Sequence, residues 1–156
     1  MRGLIQRVAR ASVEVDGEVV GAIDQGILLL LGVERGDDAG TVQRLLDKVL
    51  SYRIFPDPDG KMNLSLRDVR GGLLIVSQFT LAADTQKGLR PSFSRAAEPQ
   101  LGRQLYDLFL TRARESHPVV QAGRFGADMQ VSLVNEGPVT FVLDVSGGPG
   151  AGGNSA

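Results

Sequence analysis

The sequence predicts an α+β fold, an antiparallel set of strands with two amphipathic helices packed outside it. Three observations carry this expectation. From Leu4 to Val33 short apolar runs alternate with tight turns. Two later segments place apolar residues at helical spacing. Near the C-terminus two strand-like runs flank a Gly-Pro step.

Leu4 to Val15 reads as a strand with a bulge or bend near Ala9-Arg10-Ala11, because clean alternation is confined to Ser12–Val15. Asp16-Gly17 is a two-residue hairpin turn, both positions tolerating positive φ. Glu18 to Ile23 returns, Asp24-Gln25-Gly26 turns again, and Ile27 to Val33 is apolar enough to be buried on both faces. Three short strands in succession suggest a meander. Asp37 or Asp38 is placed to cap a helix. Val42, Leu45, Leu46, Val49 and Leu50 then form one apolar stripe. Pro56 to Gly60 is a turn, and Lys61 to Leu66 is expected to be short and extended. Leu73 to Val76 is a buried strand. Ala82 to Ala96 shows no periodicity, and a loop of that length is either functional or disordered. Leu101, Leu105, Leu108 and Phe109 mark the second helix, with Pro99 in its first turn and His117-Pro118 at its end. Met129–Val134 and Val139–Val145 are the last strands. One domain is expected over 1–146, with a flexible Gly-rich tail over 147–156.

Composition narrows the function classes. The chain has 156 residues, no cysteine and a formal net charge of −1. Disulfides, thiolate metal sites and a Cys nucleophile are excluded, and a reducing cytoplasm fits. No global basic field is present to drive non-specific nucleic-acid binding. The longest apolar run, Ile27 to Val33, is too short to span a bilayer. No metal-ligand spacing and no phosphate-binding loop is found, so neither metal nor cofactor is expected.

The chain is organised around Leu73-Leu74-Ile75-Val76-Ser77-Gln78-Phe79-Thr80-Leu81. An apolar strand ends in Ser77, Gln78 and Thr80. Burying such groups unpaired costs about 1–3 kcal/mol each, so the fold satisfies them internally or they line a pocket. The expected counterpart is Asn135-Glu136-Gly137-Pro138-Val139-Thr140. A proline between strand runs cannot continue the ladder, and the glycine before it has backbone angles other residues lack. Spacing alone favours an ordinary trans turn over a cis bond. The two segments are expected to form one site. Ser77 is not in a Gly-x-Ser-x-Gly elbow. The one histidine, His117, sits at a helix end, where a favourable dipole contact is the simpler role. A Ser-His-Asp triad is therefore not expected, and catalysis would rest on backbone donors, hydroxyls and the substrate's own groups.

Ser77-Gln78-Phe79-Thr80-Leu81 together with Asn135-Glu136-Gly137-Pro138-Val139-Thr140 resembles the two signature motifs of the D-aminoacyl-tRNA deacylases (D-tyrosyl-tRNA deacylases). Gln6-Arg7-Val8, Lys87-Gly88-Leu89-Arg90-Pro91-Ser92-Phe93 and Phe125-Gly126-Ala127-Asp128-Met129 resemble that family in the same order. The likeness spans Met1 to Val145. Glu136 departs from the Asp expected there. Ser77 and Phe79 resemble the D-specific class, where a sister class has Pro-Gln-Ala-Thr.

The resemblance implies antiparallel sheets forming a partly closed, barrel-like core with two amphipathic helices outside. It implies a cytoplasmic homodimer that hydrolyses the ester between a D-amino acid, or glycine, and the 3′ end of tRNA. Ser77, Gln78, Phe79 and Thr80 would be catalytic, Phe79 through its amide as an oxyanion donor. Gly137 and Pro138 of the partner subunit would be the chiral filter, supported by Arg7. Phe125 and Met129 would wall the terminal adenine. Separately, the length, two cations and lack of periodicity of the loop around Lys87 and Arg90 suggest that it holds the acceptor end, with an ordinary surface loop as the alternative. Two further readings stay open: a non-catalytic nucleic-acid or partner-binding module, and a generic esterase with Thr80 or Ser77 as nucleophile.

Overall fold

Strand β1 (Arg2–Val15) is the spine of the molecule, and the computed structural model describes it and the rest of the chain over residues 1–146. The tail expected over 147–156 lies outside the described residues. Strand β8 (Gln130–Asp144) pairs antiparallel with one edge of β1 from Arg2 to Glu14. The other edge is shared. β3 (Gly26–Gly32) takes its first half and β2 (Glu18–Ile23) its second, both antiparallel. Asp16 and Gly17 have φ of 51° and 79°, the two positive values their hairpin turn requires.

β6 (Gly72–Ser77) pairs with β3, and β7 (Val120–Ala122) with β6, both parallel. The six-stranded sheet is therefore mixed, where an antiparallel one was expected. β3 also returns to β1 rather than β2, so the first three strands are not a meander. The connections explain the parallel pairs. Helix α1 (Ala39–Ser51) lies between β3 and β6, and helix α3 (Pro99–Ser116) between β6 and β7. Crossovers of that length are what parallel neighbours need. The sheet curls until β2 meets β7, where a Cβ on Gly21 would lie 2.7 Å from the Ala122 oxygen. That seam leaves the barrel nearly closed.

Curling gives two cores. Val8, Val13, Ile23, Leu28, Leu74 and Val76 fill the barrel. Ile27, Leu29, Leu31, Leu73 and Ile75, the alternate residues of the same strands, face outward onto α1 and α3. β3 is thus buried on both faces, as its unbroken apolar run implies. Truncating a fully buried leucine such as Leu29 to Ala would cost about 2–5 kcal/mol.

Local rules account for the helix ends. Asp38 caps α1 by accepting from the Thr41 amide at 2.9 Å. Pro99 opens α3 at a position where a missing N–H costs nothing. The 61–66 segment is short and extended as expected, up to Ser65. β5 (Met62–Leu64) pairs with β4 (Phe55–Pro56), and a short helix, α2 (Leu66–Val69), follows with Ser65 and Asp68 in a reciprocal cap. Among the described residues no helix is long and apolar enough to cross a membrane.

Candidate active site

At the end of β6 the chain leaves the sheet abruptly. The Gln78 amide makes a last hydrogen bond to the Leu31 oxygen at 2.8 Å. A 3-10 turn, Phe79–Ala82, follows, closed by Leu81 N to Gln78 O at 3.2 Å and Ala83 N to Thr80 O at 3.1 Å. Phe79 opens this turn, where backbone N–H groups have no acceptor within the helix. Its ring is 64% exposed and tilts against Phe93, with centroids 5.1 Å apart. The Gln78 amide nitrogen donates to the Thr80 hydroxyl. Gln78 and Thr80 thus satisfy one another, and neither they nor Ser77 are wholly buried.

Ser77, Gln78 and Phe79 form one wall of a cleft of about 520 Å³, with Phe125, Met129 and Tyr106 around it. That size suits a small organic group rather than a macromolecular surface. The Phe125 ring packs on Tyr106 at 5.5 Å, and the Arg103 guanidinium lies 5.9 Å from its centroid. The Met129 sulfur accepts from the Arg124 amide at 3.4 Å. The Tyr106 hydroxyl donates to the Ile75 oxygen at 3.2 Å. Burial, reinforced by the Asp107 charge, pushes that hydroxyl up to about 12. Tyr106 is therefore a neutral wall, already engaged, and not an acid or base near neutral pH.

His117 is excluded from this cleft by topology. It is buried, and its Nε2–H donates to the Gly71 oxygen at 2.6 Å. Gly71 precedes β6 and Ser77 ends it, so the imidazole serves the opposite end of the strand.

The Gly-Pro segment is an excursion in a continuous strand. Gln6 pairs with Thr140 and Val8 with Asn135, so Arg7 alone faces the four residues Glu136 to Val139. Two separate strands were expected here. β1 is long enough to pair on both sides of the break, which joins them. Asn135 spans the base of the excursion, its Oδ1 accepting from the Val139 amide at 3.1 Å and its Nδ2 donating to the Thr140 hydroxyl at 2.9 Å. The Gly137-Pro138 peptide bond is cis. Gly137 has φ 130°, and a Cβ there would lie 2.6 Å from Val139 Cγ2, so only glycine fits. Arg7 donates from Nη1 to the Ile54 oxygen at 2.6 Å and from Nε to the Glu136 oxygen at 3.2 Å.

One chain does not bring the two motifs together. Arg7 pairs with Ile27, and Ile27 with Leu73, so the excursion is level with the start of β6. Ser77 lies four residues further along β6, roughly 13 Å at strand spacing. Lys87 and Arg90 sit apart from both, exposed at the tip of a loop pinned by reciprocal Asp84–Ser92 main-chain bonds of 2.7 and 3.1 Å. Neither lines the cleft.

The sequence reading missed Tyr106 and Asp128 as lining residues. Tyr106 is adjacent to the apolar stripe of α3 and was indistinguishable from core. Gly102 gave no signal either, since a Cβ there would meet the Phe125 ring at 3.7 Å, an ordinary contact that does not require glycine.

The chain is similar to known proteins over most of its length. The family model described as D-Tyr-tRNA(Tyr) deacylase matches residues 4–144. A protein of Stutzerimonas stutzeri named D-aminoacyl-tRNA deacylase is 66% identical over 144 residues, covering 92% of this chain and 99% of its own. A protein of the same name from Pseudomonas savastanoi pv. phaseolicola is 64% identical with the same coverage. Among solved structures, one called c-Myc DNA Unwinding Element Binding Protein superposes with a TM-score of 0.89 at 38% identity, covering 93% of this chain and 99% of that one. Another, described as a probable eukaryotic D-amino acid tRNA deacylase, shares the fold with a TM-score of 0.76 at 21% identity, over 92% and 98% of the two chains. With the Ser77–Leu81 turn, the cleft and the Gly137-Pro138 excursion all inside the matched span, this chain belongs to the D-Tyr-tRNA(Tyr) deacylase family.

Proposed function

We propose that the protein hydrolyses the ester linking a D-amino acid, or glycine, to the 3′ end of tRNA, in the cytoplasm, as a homodimer and without metal or cofactor. The observation that carries this reading is the Phe79–Ala82 turn at the mouth of a cleft that no histidine reaches. An aminoacyl ester is already activated. Attack by water then needs positioning and oxyanion stabilisation more than a strong base. The Phe79 amide is the oxyanion donor, Ser77 and Gln78 shape its surroundings, and Thr80 lies beside the scissile bond. The ribose 2′-hydroxyl orients the water. Phe125 and Met129 wall the terminal adenine, and Lys87 and Arg90 meet the acceptor end.

Gly137 and Pro138 of one subunit serve the Ser77–Thr80 turn of the other, held in place by Arg7. The separation of the two motifs within one chain supports this arrangement. So do the exposed valines of β8, Val134 and Val142 at 39% and 57%, on a long strand with one edge unpaired among the described residues. Selectivity comes from exclusion: a backbone segment close to Cα leaves room for hydrogen and not for an L side chain. Deacylation of matched D- and L-tyrosyl-tRNA, with glycyl-tRNA alongside, tests the proposal. Rapid loss of the D and glycyl esters with the L ester intact is expected; equal rates for D and L, or no turnover, would remove it.

A second reading is a nucleic-acid-binding module without catalysis, favoured by the name of the relative that superposes at 0.89. It predicts binding of tRNA or DNA with no ester turnover, and the net charge of −1 gives it little electrostatic support.

A further inference from the structure

The turn that carries Phe79 and Thr80 is tied to the barrel at few points. The Gln78 amide bonds to β3 at its entrance. Leu81 packs over Gly32, whose added Cβ would lie 3.0 Å from the Leu81 Cβ. Between them stands Arg2. Its Nη1 donates to the Leu81 oxygen at 3.3 Å, and its Nε to Asp144 Oδ1 at 2.7 Å. Arg2 and Asp144 face each other across the β1–β8 ladder, so the guanidinium is oriented by the two longest strands. The preceding residue is fixed as well. The Met1 ammonium is buried and donates to Asp37 Oδ1 and to the Val145 oxygen, both at 2.7 Å, with Glu34 Oε1 3.3 Å away. A planar fork of donors starting from an immobile backbone can clamp a carbonyl in a way a flexible lysine cannot.

Resting on the deacylase reading above, we propose that Arg2 is a positioning residue: it braces the oxyanion turn through the Leu81 carbonyl, with Asp144 aiming it. Arg2 touches neither cleft nor substrate and acts through the turn. Removing the brace should lower turnover more than binding, because the amide of Phe79 must meet charge that develops only in the transition state.

The test compares Arg2→Met, Arg2→Lys and Asp144→Asn with the unmodified enzyme on D-tyrosyl-tRNA, together with NMR hydrogen exchange of the Leu81 and Ala83 amides. Arg2→Met is expected to lose roughly tenfold in kcat, the size of one charge-assisted hydrogen bond, with KM within about twofold. Exchange at Leu81 and Ala83 should speed while the β1 and β3 amides keep their protection. Asp144→Asn should fall between Arg2→Met and the unmodified enzyme, and Arg2→Lys should recover part of the loss. Unchanged kcat in Arg2→Met overturns the proposal. So does a loss accompanied by faster exchange throughout the barrel, which would make Arg2 a general stabiliser. If the unmodified enzyme is itself inert, the deacylase reading fails, and exchange at Leu81 and Ala83 still decides whether Arg2 braces the turn.

Discussion

Arg7 reaches across the wider of the two irregularities in the β1–β8 ladder and donates to the main-chain oxygen of Glu136 at 3.2 Å. Its second bond, to Ile54, anchors it to the chain leaving α1. The excursion is thus held from behind, leaving Gly137 and Pro138 exposed. A rigid exposed backbone segment far from its own cleft suits a role in a partner's cleft. Gly137→Ala, which places a Cβ against Val139, should disable the filter, and Phe79→Pro should disable the oxyanion donor. Mixing the two chains creates heterodimers in which one site carries both lesions and the other neither. D-selective deacylation should return to about a quarter of the wild-type level under random pairing. A mixture that regains no D-over-L preference, with both variants folded, would place the whole site within one subunit.

The chemistry is predicted to depend on a backbone amide rather than a side chain. Phe79 begins the 3-10 turn, a position where proline fits the helix and removes the N–H along with the ring, whose own contribution Phe79→Ala measures. Phe79→Pro should lower kcat by about 10²–10³. Phe79→Ala and Thr80→Ala should retain substantial activity, since neither removes that donor. A tRNA ending in 2′-deoxyadenosine should be cleaved very slowly. Single-turnover hydrolysis checks all four. An inactive Thr80→Ala paired with a readily cleaved deoxy substrate would return the nucleophile to the protein.

Lys87 and Arg90 project from a loop outside the cleft, so their contribution should be to binding alone. Replacing both with Ala is expected to weaken tRNA affinity. The slope of log K against log salt should fall by about 1–2, a little under one for each phosphate that is no longer neutralised. Fluorescence titration across salt concentrations measures it. An unchanged slope would leave the pair as ordinary surface cations.

The N-terminal cluster makes a prediction about pH. Burial holds the Asp37 carboxyl above its usual range, with hydrogen bonds from the Met1 ammonium and the Glu34 amide pulling the other way. A raised folded-state value means the folded state binds the proton more tightly. The associated stability is present below about pH 4 and is lost as pH rises through the folded value. Asp37→Asn removes this opposing slope. Its urea stability should climb more steeply with pH above about pH 4 than that of the wild type. Parallel curves would show that Asp37 does not titrate differently in the two states.

Much of the molecule was legible in the sequence because local physics determines it. Asp16-Gly17 demanded a hairpin, the Val42–Leu50 stripe demanded a helix against a sheet, and the unbroken Ile27–Val33 run demanded burial on both faces. The motifs around Ser77 and Gly137 pointed to the family by resemblance, whereas their physical chemistry alone pointed only to a pocket or an internal partner. Other features were settled only in three dimensions. Strand direction was one: the pattern of Leu73–Val76 is the same in a parallel or antiparallel neighbour, and the α1 and α3 crossovers decide it. The unity of β8 was another, because β1 supplies pairing on both sides of the break. So was the use of Asp37 and Asp38, adjacent and alike in sequence, one of which caps a helix while the other receives the N-terminal ammonium. The distance between Ser77 and Gly137 was a further matter of register, set by which residues of β1, β3 and β6 lie abreast. Periodicity reports which face of an element is buried; only the folded sheet determines what lies opposite it.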